Sequence, residues 1–267
     1  MIDQGKDHVA LASDYDTFVN WDARLARELP FFLRHFAEAG ANHVVDVGAG
    51  SAKLSVAFGL EGLKVDAVDP DDSMLAAAGT NIADAAERIT EAGGSVRLQR
   101  GGFGELRALG IADADALICT GNALPHSSGP AGLREALADF SAVLRPGAVL
   151  VLHLLNHDRL LASHTRALSP MVRDGAHGMR VYLRVLDWAP DDCAFEMNFL
   201  TLEKHGGDAE GSWDVASYGG THTVMTPATV AAELEVAGFE RIELLGGHDG
   251  HALTAADESV IVVARKR

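Results

Sequence analysis

Cysteine is scarce: only Cys119 and Cys193 stand in 267 residues. Two cysteines cannot build a disulfide framework, and Cys119, inside an apolar run, reads as a small packing hydrophobe. No apolar stretch reaches the roughly 18 residues that a membrane-spanning helix requires. The opening segment MIDQGKDHVALASDYD lacks both the basic-then-apolar order of a secretory signal and the arginines of a transit peptide. Basic residues are also few. Lys plus Arg number 22 against 38 Asp plus Glu, for a net charge of −16. Nucleic acid and anionic membranes bind clustered Lys and Arg, so neither is expected as a partner. The acidic excess reads as solvated surface. A reducing cytoplasm is the expected setting, and a homo-oligomer is compatible with the composition.

The chain is long for one domain but suits a large α/β domain, and its 48% hydrophobic content is ample for a core. From Asp14 to Ala39 apolar residues recur at helical spacing, with Pro30 expected to kink or divide the segment. Short apolar runs then alternate with helical patterns. Strands are expected at His43–Val47, Lys64–Val68, Val96–Gln99, Ala114–Thr120 and Ala148–Leu155. Helices are expected over Ser51–Gly59, over Asp71–Ala92 with a break at Gly79, and over Gly132–Leu144. Such alternation predicts βαβ units and a parallel sheet covered on both faces. Arg180–Trp188, Ala194–Lys204 and Ser212–Val224 instead read as antiparallel strands, followed by a helix Pro227–Ala237 and strands Phe239–Leu245 and Ser259–Ala264. The expected fold is α/β, a Rossmann-like, mostly parallel sheet of seven strands with helices on both faces. It forms a single domain: a helical cap over residues 1–42, a core over 43–155 and 227–267, and a β insertion over about 178–226. Cap and insertion are placed to close over a site at the carboxyl ends of the strands.

The most informative segment is Val44-Val45-Asp46-Val47-Gly48-Ala49-Gly50-Ser51-Ala52-Lys53. An apolar strand runs into a Gly-x-Gly turn that opens a helix, and the next strand ends at Asp69. Glycines let the backbone turn sharply beside a ligand, and a helix N-terminus presents free N–H groups. A carboxylate about 20 residues past the turn suits the two hydroxyls of a ribose. A nucleoside site is therefore expected. A dinucleotide fingerprint needs a third glycine at position 53, where Lys53 stands, so a nicotinamide-dependent oxidoreductase is the disfavoured alternative.

With Asp46, Gly48 and Gly50, this segment resembles motif I of the class I S-adenosylmethionine (SAM)-dependent methyltransferases, an acid-x-Gly-x-Gly-x-Gly pattern in which Ala52 replaces the third glycine. The resemblance spans nearly the whole chain, including the Ala237-Gly238-Phe239 entry to a late strand. It implies SAM as cofactor, with Asp46, Gly48, Ala49 and Gly50 at the turn under its methionyl part. It also implies Asp69, Pro70 and Met74 on the ribose side. In Arg100-Gly101-Gly102-Phe103-Gly104-Glu105 the acid that many members carry after the third strand is missing or displaced to Glu105. Phe103 is expected on the adenine face, with the Gly102 N–H beside it.

Cys119-Thr120-Gly121-Asn122-Ala123-Leu124-Pro125-His126 resembles the Gly-Asn-Ser-x-x-His segment of glycine N-methyltransferase-like enzymes. That implies Thr120, Gly121 and Asn122 near the cofactor, and Asn122 and His126 as the catalytic pair that orients the acceptor or takes its proton. The same subgroup carries an aromatic and basic helical lid, which implies Tyr15 and Trp21 beside the sulfonium and Arg27, or less so Arg24, on the SAM carboxylate. Asn156-His157-Asp158 is similar to that subgroup's Asn-Tyr-Asp stretch, but the neighbouring arginine that grips an amino-acid carboxylate is absent. Tyr182, Arg184 and Tyr218 are candidates to shape the acceptor pocket. Twelve histidines invite a metal. His153 and His157 sit at a strand end and no zinc-ligand spacing occurs, so no metal is expected. The expected function is methyl transfer from SAM to a nitrogen or oxygen of a small molecule. The alternatives are an O- or C-methyltransferase of specialised metabolism and a non-catalytic SAM-binding protein.

Overall fold

The computed structural model describes residues 16–175, 178–205 and 212–267, so Tyr15 lies outside the described residues. The central sheet is built from β1 (His43–Val47), β2 (Lys64–Asp69), β3 (Ser95–Arg100), β4 (Ala114–Cys119) and β5 (Leu144–Leu155), completed by β10 (Phe239–Leu245) and β11 (Ser259–Lys266). Its order is β10-β11-β5-β4-β1-β2-β3. Neighbours pair in parallel from β5 to β3, while β11 runs antiparallel to both β5 and β10. The inner strands are apolar on both faces because both faces are covered. Val45, Leu117 and Leu150 pack toward α4 (Gly129–Val143) and α6 (Pro227–Val236). Val44, Ile118 and Val149 pack on the other side against α1 (Trp21–Ala39) and α2 (Lys53–Leu60).

Two helical expectations are corrected. α1 runs unbroken through Pro30, held by the burial of Phe31, Phe32 and Phe36 against Phe58. Each such aromatic contributes about 1.5–3 kcal/mol, enough to offset the hydrogen bond that proline removes. α3 (Asp72–Glu91) passes through Gly79 without a break, because a lone glycine costs only about 1 kcal/mol in a long helix. α4 hands directly to β5 at Leu144, and the Arg145-Pro146-Gly147 segment lies inside the strand as an irregularity between paired residues Leu144 and Val149.

A second sheet, order β6-β7-β8-β9, comprises β6 (Ala167–Gly175), β7 (Gly178–Trp188), β8 (Ala194–His205) and β9 (Ser212–Thr223), all antiparallel. Its first strand was not expected, and the sheet starts before residue 178. Pro170 interrupts the strand signature of β6, and the structure accommodates it at an edge with a register shift between Leu168 and Met171. The short α5 (His157–Ser163) precedes it, too brief to show periodicity. Among the described residues no helix is long and apolar enough to cross a membrane.

Candidate active site

β1 and β4 are neighbours whose connections leave in opposite directions, so their carboxyl ends flank the switch point where open α/β sheets bind ligands. A cavity of about 1010 Å³ opens there, and α1 and the second sheet line its far side.

The glycine turn is tied down on both sides. Gly48 and Ala49 donate their N–H groups to Val68 O at 2.9 and 3.1 Å. Gly48 has φ 72°, and a Cβ there would lie 2.7 Å from that of Ala123, so the close approach of the two loops demands glycine. Ala52, at the position of the missing third glycine, adopts φ 58° and keeps the turn's shape despite its side chain. Asp69 is nearly buried. Its Oδ2 accepts from Gly50 N at 2.8 Å and its Oδ1 from Asp71 N at 3.0 Å. Burial raises its pKa, and these two N–H donors act against the rise. Both oxygens retain lone pairs, and the carboxylate lines the cavity with Pro70 and Met74. A ribose, which offers two hydroxyl donors, fits that chemistry.

Asp46 and Ala49 do not line the cavity. Asp46 is 1% exposed and accepts from Ser55 Oγ at 2.6 Å, and burial pushes its pKa up to about 6. It braces the turn from below. Gly102 and Phe103 do line the cavity. The Gly102 N–H already donates to Glu105 Oε2 at 2.7 Å, however, and Phe103 makes an edge contact with Phe140 at 6.0 Å. Phe103 is therefore both wall and core.

In the lid the arrangement differs from the sequence expectation. Trp21 points away from the cavity and donates Nε1–H to Asp16 Oδ1 at 2.9 Å. Arg27 reaches the rim, but its side chain is 63% exposed. Arg24 is the inward cation, at 12% exposure. Its guanidinium lies 4.9 Å from the Trp21 ring centre, and its Nη2 is 3.4 Å from Thr120 Oγ1. Its Nε donates to Glu28 Oε2 at 2.9 Å.

Sequence reasoning missed Glu28, which is 1% exposed beneath the cavity. Burial raises its pKa, but Arg24, His248 and His153 outweigh that and leave it below the usual value. His153 is driven to about 3 and His248 to about 4, chiefly by burial. Acceptor atoms of Glu28, His153 and His248 lie within 4.8 Å of one another, although the three come from distant segments that spacing could not connect. The Glu28 oxygens already bond Arg24 and Arg27, both at 2.9 Å. Adding a divalent cation beside two guanidiniums opposes Coulomb's law, so the cluster is better suited to ordering Arg24.

Gly121, Asn122 and His126 also line the cavity, with His222 from β9, a residue the sequence did not single out. Asn122 adopts φ 65° and accepts from Leu155 N at 2.9 Å. His126 faces the open cavity amid protein, and burial lowers its pKa. His222 lies 4.2 Å from it, centroid to centroid, with its pKa lowered to about 4 by burial and by His126. The 3.0 Å contact of His222 Nδ1 with Gly220 O makes Nδ1 the donor and leaves the lone pair on Nε2. Arg184 and Tyr218 line the cavity, whereas Tyr182 is buried behind it against Phe18. Asn156, His157 and Asp158 stand outside it. Asn156 caps α5, and His157 Nδ1 accepts from Met225 N at 2.7 Å.

Residues 44–147 match the family model described as a methyltransferase domain. A glycine/sarcosine N-methyltransferase of Parasynechococcus marenigrum (strain WH8102) is 34% identical over 148 residues, 55% of this chain and 50% of that protein, so the chain spans about half of its length. One of Aphanothece halophytica is 27% identical over 203 residues, covering 71% of this chain and 72% of the relative. An S-adenosylmethionine-dependent methyltransferase of Clostridium acetobutylicum ATCC 824 shares the fold at a TM-score of 0.74 and 14% identity, covering 96% of this chain and 98% of the other. Residues 44–147 are thus similar to a methyltransferase domain, and the chain shares the fold of an S-adenosylmethionine-dependent methyltransferase of known structure, with the glycine turn closed by Asp69 at the carboxyl end of the sheet.

Proposed function

We propose that this chain transfers a methyl group from SAM to the nitrogen of a small-molecule amine. One observation carries the reading. A single cavity joins a ribose-type carboxylate, Asp69, to a pair of neutral imidazoles, His126 and His222, with the glycine turn and Arg24 between them. The glycine/sarcosine N-methyltransferase relatives favour nitrogen over oxygen.

When bound, SAM supplies a sulfonium methyl already activated for displacement. Asp69 accepts the ribose hydroxyls, Gly48 and Gly50 allow backbone approach, and Arg24, held by Glu28, pairs with the carboxylate. Arg24 rather than Arg27 takes that role because it is inward and anchored. Pro70, Met74, Gly102 and Phe103 form the adenine end. An aliphatic amine arrives as an ammonium and must shed a proton before its lone pair can attack. His126 accepts that proton, and His222, kept neutral, leaves its Nε2 lone pair beside it as a hydrogen-bond acceptor. The Thr120-Gly121-Asn122 turn then fixes where the nitrogen sits, which governs alignment at about 3 Å.

Calorimetry with SAM and with S-adenosylhomocysteine, followed by radiolabelled methyl transfer to a panel of amines and alcohols, tests the reading. Micromolar binding and labelled amine products are expected. Absence of heat from both cofactor forms would overturn it, and labelled alcohols alone would move the assignment to oxygen.

A further inference from the structure

The second sheet is apolar on both faces, but only one of them is covered. Directly opposite residues of an antiparallel pair share a face, so the register assigns each side chain. The row Leu168–Arg184–Phe199–Tyr218 faces inward, toward the cavity and the core. On that inner face Tyr182, Leu186, Phe195 and Met197 are buried. The alternate rows point outward. One runs Val172–Val181–Leu202–Val215 across all four strands. The rows beside it add Met179 and Trp213 on one side and Leu183 with Leu200 on the other. Val172 is 53% exposed and Val215 62%, and Met179 and Trp213 are exposed as well. Among the described residues none of these outward side chains is buried, and none joins a hydrophobic core cluster. An antiparallel sheet with one face in water normally carries polar residues there. That pattern resumes only at the other end of the outer face, with Asp187, Glu196 and Thr221.

A contiguous exposed apolar patch of this kind marks an interface. Its charge indicates with what. From the row of Met179 to the row of Val185, the described residues carry two formal charges, Asp174 and Lys204, of opposite sign. Two chains of net charge −16 repel each other over most of their surface, and this patch is where the repulsion is least. A two-fold axis through it sets apolar rows on apolar rows and leaves neither sign in excess. A basic partner finds no acidic surface here, and an anionic bilayer is repelled by the chain as a whole. Four strands about 4.8 Å apart and four rows about 7 Å apart cover on the order of 500 Å², so two copies bury about 1,000 Å², which a specific interface requires. We propose that the chain forms a two-fold dimer in which the outer faces of the two second sheets pack together, with the row Val172–Val181–Leu202–Val215 at the centre. Aligned sheets pack about 10 Å apart, a spacing that lets the branched side chains of that row interdigitate. Because the inner face of the same sheet lines the cavity, the contact backs that wall. The dimer stands independently of the methyltransferase reading.

Sedimentation equilibrium on the full chain tests it. The parent should be a dimer at micromolar concentrations. Val215→Lys and Val172→Lys each place a charge at the centre of the contact and should weaken dimerisation ten-fold or more, and the two combined should give a monomer. Both positions are exposed in the single chain, so far-ultraviolet circular dichroism should show the parent's secondary structure in these variants. Val236→Lys, at a position on α6 that is 80% exposed, should leave the dimer intact. Should Val215→Lys fail to fold, Trp213→Ser carries the same comparison, with a loss of at least three-fold. A monomeric parent would overturn the proposal and leave the face to another occupant. So would a dimer that survives the combined substitutions, or one that Val236→Lys dissociates equally.

Discussion

The side chain of Asn122 accepts a hydrogen bond from the backbone N–H of Leu155 at 2.9 Å, fastening the turn after β4 to the end of β5. The Asn122 N–H bonds His153 O at 3.1 Å, so the residue is clamped twice and holds φ 65°. Asn122→Ala leaves a donor without its partner and an alanine in a left-handed conformation, and should cost about 2–4 kcal/mol. Asn122→Asp keeps the acceptor and tolerates that conformation. If the Asn122 amide also donates to the acceptor, Asn122→Asp should melt like the parent yet lose ten-fold or more in kcat/KM. Unchanged turnover in Asn122→Asp would confine Asn122 to the clamp.

Glu28 orders Arg24, and their separation is testable. Glu28→Gln leaves a nearly buried guanidinium without its counter-charge, and breaking a buried pair typically costs about 3–5 kcal/mol. S-adenosylhomocysteine affinity should fall ten-fold or more, and affinity for methylthioadenosine, which has no carboxylate, should fall far less. The Glu28 carboxyl lies below its ordinary value of 4.5, so its stabilising contribution is complete above that pH and is lost as pH falls through the lowered folded-state pKa. Acid melts of parent and Glu28→Gln should converge in that range.

Gly48 tests the crowded turn. Gly48→Ala places a Cβ 2.7 Å from Ala123 and forces an L side chain to φ 72°. A loss of about 2–4 kcal/mol is expected, with weakened cofactor binding. Ala123→Gly in the same molecule should relieve the clash but not the dihedral strain, and so should recover part of the stability. Full recovery would assign the whole effect to the contact.

Much of this arrangement was legible in the sequence, because βαβ alternation and the Gly48–Gly50 turn are local signals. The expected boundaries of β1 and β10 coincide with the observed ones. What was not legible depends on which way side chains point and on contacts between distant segments. Arg24 and Arg27 both sit on α1, and sequence could not tell which one turns inward. Glu28, His153 and His248 meet only because α1, β5 and the loop after β10 converge. β6 was hidden by Pro170, whose edge position removes the usual objection to proline in a strand.

Asp46 gives the clearest dependence of stability on pH. Its carboxyl is buried, braced by Ser55, and pushed up to about 6 from an ordinary 3.8, chiefly by desolvation. For an acid raised in the folded state, the favourable contribution is present below the unfolded pKa and is lost as pH rises through the folded one. Between about pH 4 and 6 this residue alone should subtract about 3 kcal/mol, at 1.36 kcal/mol for each unit of difference. Asp46→Asn keeps an acceptor for Ser55 Oγ and removes the charge. It should therefore be more stable than the parent at pH 7.5 by up to that amount, and similar to it below pH 4. Chemical denaturation at the two pH values measures the difference. A parent that outlasts Asp46→Asn at pH 7.5 would mean that the buried anion has a compensating partner, the bound cofactor being the first to examine by repeating the measurement with S-adenosylhomocysteine present.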